Sequence, residues 1–159
     1  MAEDKVREEQ MRQYVSFVLE GEEYGVPILS VQEIIRYETV TRVPQSASFI
    51  EGVLNLRGQV IPVVNLRKKF GLEHRDKNKS TRIIVVEVSG RVIGMIVDEV
   101  SEVLQIHAEH IAPPPPMGTT VNSEFISGMG KLDEKLIILL DIDRILTEEE
   151  KAQVQQSAE

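Results

Sequence analysis

FIEGVLNLRGQVIPVVNLRKKF, from Phe49 to Phe70, contains two apolar stretches separated by a short polar turn. The turn includes Arg57 and Gly58, and glycine can adopt the positive φ that a tight hairpin turn requires. Pro62 has no N–H, which predicts that the second strand lies at a sheet edge or has a bulge there. The stretch therefore predicts a β-hairpin whose turn holds the Arg57 side chain at the surface.

The hairpin sequence occurs a second time, from Phe125 to Leu146, as FISGMGKLDEKLIILLDIDRIL. At a shift of 76 residues the identical pairs are Phe49/Phe125, Ile50/Ile126, Gly52/Gly128, Leu56/Leu132 and Ile61/Ile137. A second similarity, at a shift of 69 residues, aligns Gly25, Val31 and Glu33 with Gly94, Val100 and Glu102. Since both occur in the same order, the sequence predicts a duplicated β unit. The expected subdomains, at about 14–72 and 80–146, form a single domain over 14–146.

Composition limits the class of protein. The 159 residues suit one domain or two very small ones that share a core, and 42% apolar residues are enough for a packed interior. The net charge of −8 disfavours a general nucleic-acid binder, and the absence of cysteine excludes disulfides. The charged N-terminus is unlike a signal peptide, and no apolar run approaches the roughly 20 residues that span a bilayer, which predicts a cytoplasmic protein.

Short strands joined by tight turns dominate the rest of the pattern. One hairpin is predicted over Tyr14–Leu19 and Tyr24–Ile28, and another over Arg82–Val88 and Arg91–Val97. Pro113–Pro116 exclude helix and predict a surface loop. We expect a mainly β fold of two small antiparallel β-barrels, which pack side by side and leave a crevice between them.

Three short helices are predicted beside the strands. Ser30 caps the first, SVQEIIRY, with Glu33 at its third position, and Asp98–Leu104 is its equivalent in the second copy. Thr147 with Glu150 forms a capping box, which predicts a C-terminal helix within 147–159, whereas 1–12 is expected to be a flexible tail.

The sequence has little catalytic apparatus. It contains no glycine-rich phosphate loop, no GxSxG and no HExxH, and His107 and His110 have no evident third metal ligand. No cofactor and no metal are therefore predicted. Asp141 and Asp143 fall on the same side of a predicted strand, and such a carboxylate pair can do acid–base chemistry. A solvated strand end is the favoured interpretation, and a small β hydrolase that uses this pair is the enzymatic alternative.

Glu33 and Arg57 form a candidate ion pair that would orient both side chains at one surface. The residue types leave two interpretations open. The pair is either an ordinary surface salt bridge, which contributes little to stability, or the polar anchor of a binding patch beside Val31.

Four segments together resemble the CheW family of chemotaxis coupling proteins: EEYGVPILSVQEI, FIEGVLNLRGQVIPVVNLR, RVIGMIVDEVSEVL and FISGMGKLDEKLIILLDIDRIL. The resemblance extends from about 14 to 146. It implies two five-stranded SH3-like β-barrels and an adaptor without enzymatic activity, which couples methyl-accepting chemoreceptors to the histidine kinase CheA. A coupling protein of a related, non-chemotaxis array is the alternative within the family.

The resemblance also implies binding residues at matching positions. The cytoplasmic receptor tip is expected to contact Ile28, Val31, Glu33, Arg57 and Val103, with a receptor helix lying in the crevice. The regulatory domain of the kinase is expected to contact the hairpin that contains Gly52, Arg57 and Gly58. Contact with the membrane would be indirect, through receptor arrays at its inner face.

Overall fold

The computed structural model describes residues 11–44, 47–114, 125–146 and 150–152, and over these ranges the chain is mainly β-strand. The strands form two sheets, which confirms the predicted fold class. None of the helices in these ranges is long and apolar enough to cross a membrane.

Six strands form the first sheet, called sheet one, in the order β8-β1-β2-β11-β10-β9. Their bounds are Met11–Leu19 for β1, Glu22–Pro27 for β2, Glu99–His107 for β8, Ile111–Ala112 for β9, Ile126–Leu132 for β10 and Lys135–Leu140 for β11.

Five strands form the second sheet, called sheet two, in the order β3-β6-β7-β5-β4. Their bounds are Val31–Arg36 for β3, Ile50–Leu56 for β4, Gln59–Asn65 for β5, Arg82–Val88 for β6 and Arg91–Val97 for β7. A short helix, α1, follows β5 over Leu66–Lys69, and the Asn65 side chain caps it by accepting a hydrogen bond from the Lys68 N–H.

The strand register repeats as the sequence does. Val63 on β5 pairs in parallel with Gly94 on β7, and the equivalent Leu139 on β11 pairs in parallel with Gly25 on β2. These two pairings differ from the antiparallel barrels expected from the turns. They arise because each sheet contains a hairpin from the other half of the chain. The β1–β2 hairpin lies in sheet one with β10 and β11, and the β6–β7 hairpin lies in sheet two with β4 and β5. The bounds 14–72 and 80–146 thus remain a prediction about the sequence repeat, because the sheets combine strands from both halves.

The predicted helix SVQEIIRY is wrong. Ile28–Ser30 form a single 3-10 turn, and Val31–Arg36 form strand β3, which pairs antiparallel with β6. The predicted helix over Asp98–Leu104 is wrong as well, because most of it lies in β8. Val31, Ile34 and Ile35 fit a helical face, but β-branched residues also favour strands, and an apolar partner strand decides between the two.

The structure agrees only in part with two further predictions, which concern Pro62 and the C-terminal helix. Pro62 does not lie on an edge strand, but β5 pairs with β7 only over Val63–Asn65, so Pro62 has one paired neighbour, β4. Residues 150–152 are helical. The capping residue Thr147 and the end of the proline run, Pro115 and Pro116, lie outside the described residues, as does 1–10 of the predicted flexible tail. The last two residues of that tail begin strand β1, so the prediction is wrong there.

Three apolar clusters form the core of the part of the chain that the structure describes. One is a joint cluster between the sheets, to which central strands of both contribute. The others belong to single sheets, around Ile83 in sheet two and Ile106 in sheet one. Four aromatic rings lie in a row across the joint cluster, each in contact with the next: Phe17, Tyr24, Phe70 and Phe125. The centroids of successive rings are 5.6, 5.7 and 4.6 Å apart. Central strands therefore bury both faces, which accounts for their nearly continuous Val, Ile and Leu content.

Candidate functional site

The turn between β4 and β5 places Arg57 at the surface, as the sequence predicted. Arg57 and Gly58 both have positive φ, 52° and 88°, which is the geometry of a two-residue turn that follows the twist of the strands. The Asn55 side chain accepts a hydrogen bond of 2.9 Å from the Gly58 N–H and fixes the turn. The Arg57 side chain is 72% exposed.

Glu33 and Arg57 form an ion pair although their strands lie at opposite edges of the same sheet. Glu33 lies on β3 and Arg57 at the tip of β4, and these strands are the two ends of the strand order in sheet two. Arg57 Nη1 donates to Glu33 Oε1 at 3.1 Å, and Nη2 donates to Oε2. The predicted ion pair is therefore present, is bidentate, and joins the two edges of a curved sheet.

The ion pair shifts both ionisation equilibria. The hydrogen bond from Arg57 is the main reason that the pKa of Glu33 lies below its ordinary value of 4.5. The same hydrogen bond raises the pKa of Arg57 above its ordinary value. Because the folded-state pKa of Glu33 is lowered, the stability that the pair contributes is present above the ordinary pKa. It is lost as the pH falls through the lowered value.

We predict that carboxyl NMR titration finds the pKa of Glu33 below 4.5 and that Arg57→Gln returns it close to this ordinary value. Arg36→Gln is the matched control, because Arg36 is exposed on the same strand and points to the other face. A Glu33 pKa at its ordinary value in the unsubstituted protein would show that the pair does not form in solution.

The apolar residues predicted to bind the receptor lie just before Glu33 in the chain and on the other sheet. Ile28 and Val31 are partly buried and pack against the joint cluster, whereas Leu29 between them is 98% exposed. Val103, 53% exposed, lies on β8 in register with Val15 of β1, which belongs to the same cluster. The predicted receptor residues are thus divided, with Val31, Glu33 and Arg57 on sheet two and Val103 on sheet one.

A groove of about 740 Å³ lies beside the Ile28–Ser30 turn. Its lining consists of Met11–Tyr14, Pro27–Leu29 and Gln105. Ile28 is the one predicted receptor residue in this lining. Sequence reasoning did not identify Leu29, although a leucine between two turn-forming residues in PILS was a usable signal.

The glycines assigned to kinase binding have different surroundings. Gly58 lies in the exposed turn beside Arg57 and has open space around its Cα. Gly52 is buried, and a Cβ there would come within 2.2 Å of the Thr41 carbonyl oxygen, which crosses the strand. Gly52 therefore acts through the backbone geometry of the hairpin. Its contribution to kinase binding remains a prediction.

Sequence reasoning missed a buried cluster around Arg67, whose side chain is 7% exposed. Arg67 donates to both Asp98 carboxylate oxygens at 2.7 and 2.6 Å, to Glu20 at 2.6 Å and to the Glu73 carbonyl at 2.7 Å. Burial alone would raise the pKa of Asp98, but hydrogen bonds from Arg67 and from the Glu20 N–H hold it below its ordinary range. A charged residue directly after the apolar run VIPVVNL was the available signal.

The carboxylate pair does not form the arrangement expected of a hydrolase. Strand β11 ends at Leu140, so Asp141 and Asp143 do not lie on one side of a strand. Asp141 caps a 3-10 turn over Ile142–Arg144 by accepting from the Asp143 N–H at 3.1 Å. Asp143 accepts from the Ser89 N–H at 3.1 Å. Both carboxylates thus hold turns of the backbone.

The histidine that ends β8 and the one that ends the following turn share one carboxylate. Glu109 Oε1 lies 3.6 Å from His107 Nδ1 and 3.7 Å from His110 Nε2. Within 11–44, 47–114, 125–146 and 150–152, no group of three or more His, Asp or Glu side chains is arranged to hold a metal ion.

Comparison with known proteins finds a family and relatives that match nearly the whole chain. The CheW-like domain family matches residues 13–150. The chemotaxis protein CheW of Klebsiella aerogenes is 43% identical over 143 residues, which cover 90% of this chain and 86% of that protein. The chemotaxis protein CheW of Helicobacter pylori is 36% identical over 138 residues, covering 87% of this chain and 83% of that protein.

A solved structure agrees with both sheets. The crystal structure of the scaffolding protein TtCheW from Thermoanaerobacter tengcongensis aligns with a TM-score of 0.81 and 41% identity, covering 87% of this chain and 94% of that one. The chain therefore belongs to the CheW family of chemotaxis coupling proteins, which are adaptors and not enzymes.

Proposed function

We propose that this chain joins the cytoplasmic tip of methyl-accepting chemoreceptors to the histidine kinase CheA, and that receptor binding recruits it to arrays at the inner face of the membrane. The observation that carries the proposal is the bidentate Glu33–Arg57 pair. The β4–β5 turn places Arg57 at the surface, and Glu33 lies on the same strand as the apolar Val31.

The receptor side of the proposal follows from chemistry that suits a helix. An amphipathic helix binds where apolar side chains form a groove and a few charges at its rim set the orientation. Ile28 and Val31 supply partly exposed apolar area, Val103 supplies more from the other sheet, and the ion pair supplies the charged rim. A receptor helix laid across these residues would contact both sheets.

The kinase side rests on the β4–β5 hairpin. Its tip presents Arg57 and Gly58, and its base is fixed by the approach of the Thr41 carbonyl to Gly52. A protein surface that docks against the tip would therefore contact Arg57 directly and depend on Gly52 only through the position of the strand. This division makes Arg57 the residue common to both proposed surfaces.

Arg57→Asp is the substitution that tests the proposal. It places a carboxylate beside Glu33 while keeping a residue type that tolerates positive φ, so the turn is expected to persist. We expect about tenfold weaker assembly of kinase with receptor-containing membranes, because like charges replace an oriented pair. Co-sedimentation followed by quantification of the kinase in the pellet measures this loss.

Arg91→Asp is the matched control, since Arg91 is an exposed arginine at the end of another hairpin. It makes the same change in net charge, and we expect assembly close to that of the unsubstituted protein. Normal assembly and normal kinase control by Arg57→Asp would refute the role of Arg57. Equal losses in both variants would attribute the effect to net charge.

A further inference from the structure

The described chain passes between the two sheets at two crossovers. It leaves sheet one after β2, through Ile28–Ser30, and returns from sheet two after β7, at Asp98. The 69-residue shift that relates Gly25 to Gly94 also relates Leu29 to Asp98. The two crossovers are therefore equivalent positions of the duplicated unit, but they carry opposite chemistry.

The Asp98 crossover is tied to both sheets by one guanidinium. Arg67 lies on α1, directly after β5 of sheet two, and binds Asp98 through two hydrogen bonds. It also binds Glu20, in the β1–β2 turn of sheet one. A fourth hydrogen bond, to the Glu73 carbonyl, holds the start of the 71–80 loop. A single buried side chain thus connects sheet one, sheet two and the crossover.

The Ile28–Ser30 crossover is constructed differently. Its 3-10 turn contains no buried residue, and Leu29 projects almost completely into solvent. The turn contacts β1 of sheet one and β6 of sheet two. Val31 and Glu33 continue from it on sheet two, while Val103 lies on sheet one. The relative position of the sheets therefore determines the geometry of the surface that these residues form.

Apolar packing alone does not fix that position. Burial in the joint cluster is favourable but non-directional, so it holds the sheets together without specifying one alignment. A bidentate guanidinium–carboxylate pair adds defined distances and angles. We infer that Arg67 is a positioning residue, which fixes the alignment of the two sheets at the Asp98 crossover and thereby shapes the binding surface at the Ile28–Ser30 crossover. Its effect on receptor binding rests on the proposed function.

Distances between the sheets test this inference independently of any partner. The chain has no cysteine, so Gln59→Cys and Lys135→Cys introduce two specific spin-label sites. Both positions are exposed, one at the start of β5 in sheet two and the other at the start of β11 in sheet one. We expect Arg67→Met to widen the measured distance distribution about twofold, well below the unfolding temperature of the variant and with unchanged far-UV circular dichroism.

Arg75→Met is the matched control. Arg75 reaches the same Asp98 carboxylate at 3.4 Å but is 52% exposed, so its removal is expected to leave the distribution unchanged. If Arg67→Met does not fold, Glu20→Gln replaces it, because Glu20 is 50% exposed and its neutralisation leaves the Arg67–Asp98 contacts in place. We then expect a smaller widening in the same direction.

An unchanged distance distribution, together with a lowered melting temperature, would overturn the inference and leave Arg67 with a stabilising role only. Receptor-fragment affinity is measured in parallel, and about a tenfold loss is expected for Arg67→Met. If the unsubstituted protein binds no receptor fragment, the proposed function fails, while the distance measurement still decides the role of Arg67.

Discussion

Gly52→Ala is expected to lower the free energy of unfolding by about 3 kcal/mol or more, because the added Cβ overlaps backbone that cannot move freely. The Cβ would lie 2.2 Å from the Thr41 carbonyl oxygen and 2.7 Å from its carbon. Thr41 is held there by two hydrogen bonds with Val53, of 2.9 and 2.8 Å, so relief of the overlap breaks a β-bridge.

The equivalent glycine of the second copy provides an internal comparison. A Cβ at Gly128 would meet the Ala112 carbonyl oxygen at 2.8 Å, which predicts a smaller loss for Gly128→Ala. Gly58→Asn is the control, because its Cα faces open space and asparagine tolerates positive φ. Urea unfolding monitored by circular dichroism ranks the three variants. A Gly52→Ala variant as stable as Gly58→Asn would contradict the close approach.

Arg67→Met is expected to lower the free energy of unfolding by about 3 kcal/mol, since it leaves the Asp98 carboxylate buried without its main partner. The Asp98 side chain is only 11% exposed. Removing both charges, in Arg67→Met/Asp98→Leu, is expected to cost less than the sum of the two single substitutions. Apolar replacements of similar volume leave no uncompensated charge.

A double-mutant cycle by urea unfolding measures this coupling. The exposed Glu33–Arg57 pair is the control cycle, and we expect it to show weaker coupling because solvent screens its charges. Strictly additive effects of Arg67→Met and Asp98→Leu would mean that the two side chains do not act as a unit.

Much of the fold could be predicted where local chemistry alone decides it. The hairpin over Arg82–Val88 and Arg91–Val97 has the predicted bounds, because Ser89-Gly90 is a strong turn signal between apolar runs. The repeat also predicted equivalent positions, and the register of Val63 and Leu139 follows it. Turn residues and repeated glycines are local features that one sequence displays in full.

The errors arose where distant segments decide the structure. Val31–Arg36 satisfies a helical face and a capping pattern, yet it is a strand because β6 offers an apolar partner edge. The paired residues range from Arg36 with Arg82, 46 positions apart, to Val31 with Val86, 55 positions apart. The placement of the β1–β2 and β6–β7 hairpins also depends on contacts between distant segments, and so does the Arg67 cluster. The burial of Arg67 in particular requires three separate segments to meet, and no local pattern records that.

The candidate site was predicted in its parts but not in its layout. Residue types allowed a Glu33–Arg57 pair, and the structure shows that it joins the two ends of sheet two. The resemblance implied that Val103 lies across the crevice from Val31, and the two residues do lie in different sheets, since β3 pairs with β6 and β8 pairs with β1. The resemblance of NLRG and VQEI to family motifs predicted that Glu33 and Arg57 belong to a binding surface, and that role remains a prediction.

The most direct test of the adaptor account is co-sedimentation of the unsubstituted protein with receptor-containing membranes and the kinase, with kinase activity measured on the same samples. We predict that the kinase enters the pellet only when this protein is present, and that its activity then changes with receptor state. Since an adaptor shifts the kinase only by binding two states differently, both readouts are needed. Equal amounts of pelleted kinase with and without this protein would contradict the account.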